Sequence, residues 1–143
     1  MSELSRIETE EEVASYLQDL IYALDHGAIL SFQIERAVDR NRDEHFTNRF
    51  TVADLFPDED PKKVLRRELR KLTVSDYIRT VRDLRFPNKS EMREFGIKYE
   101  SRGDVFIKIR VELLSDYGNH TVFVMSFHFA ERAFTPQMFP YRK

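Results

Sequence analysis

Two runs near the C-terminal end of the chain alternate apolar and polar residues with a period of two, the pattern of strands that bury one face. In DVFIKIRVELL the residues Val105, Ile107, Ile109, Val111 and Leu113 share a face, and in TVFVMSFHFA Phe123, Met125, Phe127 and Phe129 do. The link between them carries Ser115, Asp116, Gly118 and Asn119, which accept turn geometry, so residues 104–130 are predicted to form a hairpin turning near Tyr117 and Gly118. The opposite face then presents Phe106, Lys108, Arg110 and Glu112 on one strand and Val122, Val124, Ser126 and His128 on the other. This register sets His128 opposite or diagonal to Phe106 and Lys108.

Earlier in the chain the period changes. Thr9-Glu10-Glu11-Glu12 is a capping box, and Val13, Tyr16, Leu17, Leu20, Ile21 and Leu24 follow at helical spacing up to Gly27, which predicts an amphipathic helix over about 10–26. Ala28–Glu35 alternates and reads as a strand. The charged run 37–48 is compatible with a loop or a short exposed helix, and 50–56 is equally ambiguous. Asp60-Pro61 opens a second helix whose buried side is Val64, Leu65, Leu69 and Leu72. Thr73 with Asp76 predicts a third helix, running to Phe86-Pro87-Asn88, with Val74, Tyr77, Ile78 and Val81 inward and Arg79, Arg82 and Arg85 outward. Residues 91–100 predict a strand with a bulge at Gly96. The apolar tail 131–143, holding Phe134, Met138, Phe139 and Tyr141, is expected to fold back or to bury in a partner. The elements together predict one α/β domain of the α+β type over residues 1–143. A small antiparallel sheet is centred on the C-terminal hairpin and packed by the N-terminal helix and two short basic helices.

With 143 residues, 41% of them hydrophobic, the chain is long enough to bury a single core. It has no cysteine, and its four histidines show no ligand spacing, so neither a disulfide framework nor a metal or other cofactor is expected. The acidic start does not resemble a signal peptide and no apolar run spans a membrane, which points to a cytoplasmic location without membrane association. The charge is segregated. Residues 1–61 hold 5 Lys/Arg against 15 Asp/Glu, and residues 62–110 hold 15 against 7. A basic middle of this kind is the expected footprint of a nucleic-acid surface, here Arg66, Arg67, Arg70 and Arg82; the competing reading is a bipolar surface that neutralises itself on folding.

The stretches LTVSDYIRTV, GDVFIKIRV and VFVMSFH resemble the toxins called motility quorum-sensing regulators over about residues 72–130. The resemblance implies a RelE-like fold and a metal-independent endoribonuclease that cuts mRNA and is held inactive by a cognate antitoxin. In that family a helical Lys, a Gln, a Tyr and a terminal Lys carry catalysis. Arg79, Arg93, Phe106 and His128 occupy those positions here. Phe106 lacks the phenol of the family tyrosine, and Tyr99 is the nearest replacement.

RNA cleavage through the 2′-OH requires proton transfer and stabilisation of a crowded phosphorane. His128 is the side chain suited to move protons near neutral pH. Arg79, Arg93, Lys108 and Arg110 supply charge, and Tyr99 and Phe106 supply rings on which an unpaired base stacks. The expected partners are therefore RNA and an antitoxin protein. The alternative from another class is a non-enzymatic protein- or RNA-interaction module on the same fold.

Overall fold

A computed structural model describes residues 3–113 and 120–142; the predicted turn around Tyr117 and Gly118 lies outside them. The elements run β1 (Glu3–Arg6), α1 (Glu10–Asp25), β2 (Ile29–Phe32), α2 (Asn48–Leu55), α3 (Pro61–Leu69), β3 (Tyr77–Asp83), β4 (Met92–Tyr99), β5 (Gly103–Glu112) and β6 (Thr121–Phe129). The strands form one sheet in the order β1-β3-β4-β5-β6-β2, antiparallel except for the β2–β6 pair at one edge. The α+β class and the central position of the hairpin agree with the sequence expectation.

The helix face of this sheet holds the core. Val105, Ile107 and Ile109 of β5 are fully buried there with Phe127 of β6, Phe95 of β4 and Leu30 of β2, under Val13, Leu17 and Leu20 of α1 and Leu65 and Leu69 of α3. Helix α1 starts at the anticipated capping box, where the Thr9 hydroxyl accepts from the Glu12 amide and the Glu12 carboxylate accepts from the Thr9 amide. It ends with Gly27 at φ +72°, and the Ala28 amide bonds back to the Ala23 carbonyl, a closure that needs the left-handed glycine. Asp60 likewise caps α3, accepting from the Lys63 amide.

Two predicted elements are corrected here and two open segments are decided. The predicted third helix is absent: Val74–Asp76 makes one 3-10 turn and the chain then runs as strand β3. Tyr77, Ile78, Thr80 and Val81 are all buried, and a segment covered on both faces has no polar stripe by which to tell a helix from a strand. The β-branched and aromatic content of YIRTV favours the strand once it has neighbours to pair with. The ambiguous segments 37–48 and 50–56 form two 3-10 turns, Ala37–Asn41 and Glu44–Phe46, followed by α2. Finally, Gly96 is not bulged; it pairs in register with Phe106, and the bulges fall at Tyr77/Arg79 and Lys108/Ile109. Glycine stands at 96 because the tail folds back over it. A Cβ there would lie 2.6 Å from the ring of Phe134.

The Lys108/Ile109 bulge also corrects the assignment of faces on β6. Ile107 pairs with Phe127 but Ile109 with Val124, so one residue, Met125, is accommodated between them. Beyond this point the alternation inverts. Val122 and Val124 enter the core, whereas Phe123 and Met125, expected inside, face the other side. Leu113, expected in the core, is exposed at the end of β5.

The outer edge of β6 is closed in two stages. β2 pairs with residues 121–124 and then ends. Side chains of α2 replace its backbone: the Phe127 amide donates to Asn48 Oδ1 (3.0 Å), Asn48 Nδ2 donates to the Met125 carbonyl (2.9 Å), and the Phe129 amide donates to Thr51 Oγ1 (2.8 Å). Asn48 and Thr51 are both fully buried, so the strand edge is satisfied without a further strand.

Candidate nucleic-acid interface

The second face of the sheet carries the candidate chemistry. Across four strands, register aligns Arg79 with Glu94, Glu94 with Lys108, and Lys108 with Ser126. Arg79 Nε donates to Glu94 Oε1 (2.7 Å), and Lys108 Nζ lies 3.7 Å from Glu94 Oε2 and 3.3 Å from Glu3 Oε1. The Arg36 guanidinium, just past β2, continues the row by donating to Ser126 Oγ (3.3 Å). One row along, Phe106 pairs directly with His128, their rings 5.6 Å apart. Among the described residues no three His, Asp or Glu side chains gather as a metal site, and no helix is long and apolar enough to cross a membrane.

His128 is only 8% exposed. Its Nδ1 lies 2.9 Å from the Phe129 carbonyl oxygen, which can only accept, so Nδ1 carries the hydrogen and Nε2 is the basic nitrogen of the neutral ring. Burial holds its pKa below the ordinary 6.5. The hydrogen bond to Phe129 opposes this, and the positive Arg42 and Arg36 reinforce it. The folded state thus favours the neutral ring, and its contribution to stability is fully present above pH 6.5 and is lost as the pH falls from there through the depressed folded pKa. Denaturant titrations between pH 7 and pH 5 are expected to show a loss of stability that His128→Gln removes in part. An identical pH dependence in the variant would dismiss this assignment.

The structure divides the sequence-predicted residues. His128, Phe106, Lys108, Arg79 and Arg110 share the second face. Arg93 does not. It lies on the helix face, where Nε donates to Glu8 Oε1 (2.7 Å), Nη2 to Glu8 Oε2 (3.2 Å), and the guanidinium covers the Tyr16 ring at 4.3 Å. Tyr99 also faces the helices, its hydroxyl donating to the buried Glu68 (2.8 Å), and burial together with that carboxylate pushes its pKa up. It is not a replacement for the missing phenol beside Phe106. Arg66, Arg67 and Arg70 sit on α3, across the sheet from His128. Arg66 donates to the Ala28 carbonyl, Arg67 binds Glu59 and Glu68, and Arg70 pairs with Asp25 (2.6 Å). Arg82 is exposed on β3, opposite Leu4 of β1.

Segregation of charge along the chain is therefore largely undone in space. Arg67–Glu59, Arg70–Asp25, Arg93–Glu8, Arg102–Asp54 and Lys108–Glu3 each join the basic middle to the acidic residues 1–61. Of the cations that have no carboxylate partner among the described residues, which include Lys62, Lys63 and Arg66 on α3 and Arg82 on β3, three gather around a groove of about 340 Å³ on the second face. Its floor is Val81, Met92, Phe123 and Met125; Arg36, Lys89 and Arg110 stand at its rim with the ion-paired Lys108 and Arg85. Asp83, also at the rim, is held at a pKa of about 2 by its hydrogen bonds from Arg85. Arg36 falls between the strand predicted over 28–35 and the charged run 37–48, and Lys89 between the stop Phe86-Pro87-Asn88 and the strand predicted over 91–100. Neither has a periodic pattern to mark it.

Comparison of the chain with protein-family profiles, with curated proteins and with solved structures finds no match.

Proposed function

We propose that this protein binds single-stranded RNA on the second face of its sheet, as an interaction module. The observation that carries the reading is the distribution of uncommitted charge. The arginines of α3 are engaged within the fold. What sets Arg36, Lys89 and Arg110 apart from the other cations without a carboxylate partner among the described residues, Lys62 and Lys63 of α3 included, is that they gather around one groove with an apolar floor. Half-buried rings, Phe106 and Phe123, lie on the same face. Cations that track phosphates beside surfaces on which bases stack are what strand binding without a duplex requires.

Filter-binding titrations of a single-stranded RNA against salt test this. Affinity is expected to fall steeply with salt, and Arg36→Gln with Arg110→Gln to reduce the slope of log affinity against log salt by about 0.7 for each phosphate that is no longer neutralised. Arg67→Gln with Arg70→Gln, on the helix side, should leave that slope unchanged. Absence of RNA affinity at low salt would dispose of the proposal.

One observation favours a second reading, metal-independent cleavage of the bound strand on the pattern of the motility quorum-sensing regulator toxins. His128, a neutral base at pH 7, shares a face with Lys108 and Arg36, which is the charge that a phosphorane needs. Arg93 takes no part in this set, and Arg79 acts only if released from Glu94. On this reading, protein freed of any antitoxin partner cuts RNA at a rate that rises to a plateau with a midpoint below pH 6.5, and His128→Ala slows it by roughly 10²–10⁴-fold while binding persists. Binding without cleavage leaves the interaction module alone.

A further inference from the structure

The groove on the second face is too small for a strand but has the size and chemistry for one of its residues. Its volume of about 340 Å³ lies at the low end of small-ligand pockets. Phe86, in the β3–β4 loop, lines it while remaining 56% exposed, with the Arg85 guanidinium 5.7 Å from its ring centroid. Phe123 and Met125 form the facing floor, turned outward by the bulge that returns Val122 and Val124 to the core. Charge complements the apolar floor on one side. Arg110 donates Nε to the Ser90 carbonyl (3.1 Å), which anchors the loop and holds the guanidinium at the rim, and its two terminal nitrogens make no hydrogen bond to the described residues. Lys89 stands beside it with no ion-pair partner among the described residues.

From this we infer that the groove is the subsite for a single unpaired nucleotide, an inference that rests on the RNA-binding reading above. The base lies against Phe86 over Phe123 and Met125, and the phosphate is held by the Arg110 fork with Lys89. A flat aromatic body and an anionic phosphate on one small ligand match an exposed ring and a planar guanidinium at one rim. An aliphatic carboxylate would use the floor but not the exposed ring, and inorganic phosphate would use the cations alone.

The methionines report on occupancy. Met92 and Met125 line the groove, whereas Met138 lies in the tail. In full-length protein carrying methyl-labelled methionine, adenosine 5′-monophosphate is expected to shift the Met92 and Met125 methyl resonances saturably, to leave Met138 in place, and to compete with a single-stranded oligoribonucleotide. Phe86→Ala, a change at an exposed ring, is expected to weaken both ligands by roughly 5- to 150-fold, and Phe86→Trp to retain them. If the oligonucleotide binds while the monophosphate moves neither methyl and Phe86→Ala leaves its affinity unchanged, the subsite is refuted and RNA binding stands. Equal shifts at equal concentrations of inorganic phosphate would refute the base contact. Monophosphate binding without oligonucleotide affinity would overturn the RNA reading and this subsite's role in it together.

Discussion

Arg93→Ala is expected to destabilise the protein by about 3–5 kcal/mol, the effect of removing one partner from a buried ion pair. The other partner, Glu8, is 4% exposed and has little recourse to water. Burial by itself raises the Glu8 pKa, but hydrogen bonds from Arg93 and Thr80 outweigh it and hold the carboxyl below its ordinary 4.5. The same residue is fixed from other directions. The Tyr77 hydroxyl accepts from the Glu8 amide and pairs with Thr80, and the Tyr141 hydroxyl donates to the Glu8 carbonyl, which ties the C-terminal tail to the start of α1. Loss of the guanidinium leaves this network with an unpaired charge that costs more than the pair contributed. The depressed pKa sets the sign of the pH dependence. The stability that Glu8 contributes is present above pH 4.5 and is lost as the pH falls through its folded pKa, so acid should narrow the difference between wild type and variant. Urea midpoints at pH 7 and pH 4 measure both quantities. A change of less than about 0.5 kcal/mol at pH 7, the range of surface sites, would place Arg93 outside the folding network and reopen it as a functional residue.

Phe127→Ala should be as damaging, at about 3–5 kcal/mol, through lost burial and the cavity left behind. Phe127 has no exposed surface, pairs with Ile107 at the centre of the sheet and meets the edge of Tyr99 with ring centroids 6.3 Å apart. Its backbone amide is also the one that Asn48 satisfies. Phe123→Ala is the informative comparison. Simple alternation puts both rings on one face, and equal effects would then follow. The bulge puts Phe123 in the groove, half-buried beneath the Arg110 guanidinium at 5.4 Å, and its loss should destabilise much less. Equal midpoint shifts for the two variants would show that the bulge is not where the register places it.

What the amino-acid order determined by itself is the set of features written in neighbouring residues. The start of α1 depends on Thr9 and Glu12 three residues apart, its end on Gly27, and the start of α3 on Asp60-Pro61. The alternation of Val105, Ile107 and Ile109 decided which face of β5 is buried. These are local because a cap, a left-handed turn and a period of two each act within a few residues.

Tertiary structure decided the rest. TVSDYIRTV has spacing that suits a helix, and it became a strand because β1 and β4 offer hydrogen-bonding edges and cover on both sides, an environment invisible in the segment. Gly96 reads as a bulge until Phe134 is laid across it from 38 residues away. The bulge that turns Phe123 and Met125 outward is invisible in a pattern that continues unbroken through it. Above all, the role of each cation depends on which carboxylate folding brings within reach. Arg93 belongs to the core because Glu8, 85 residues away, is held beside it, whereas Arg110 is left with only the Ser90 carbonyl for its Nε among the described residues. Ion pairing requires the two charges within about 4 Å, so the difference between a structural arginine and one left for a ligand is set by distances that only the folded chain defines.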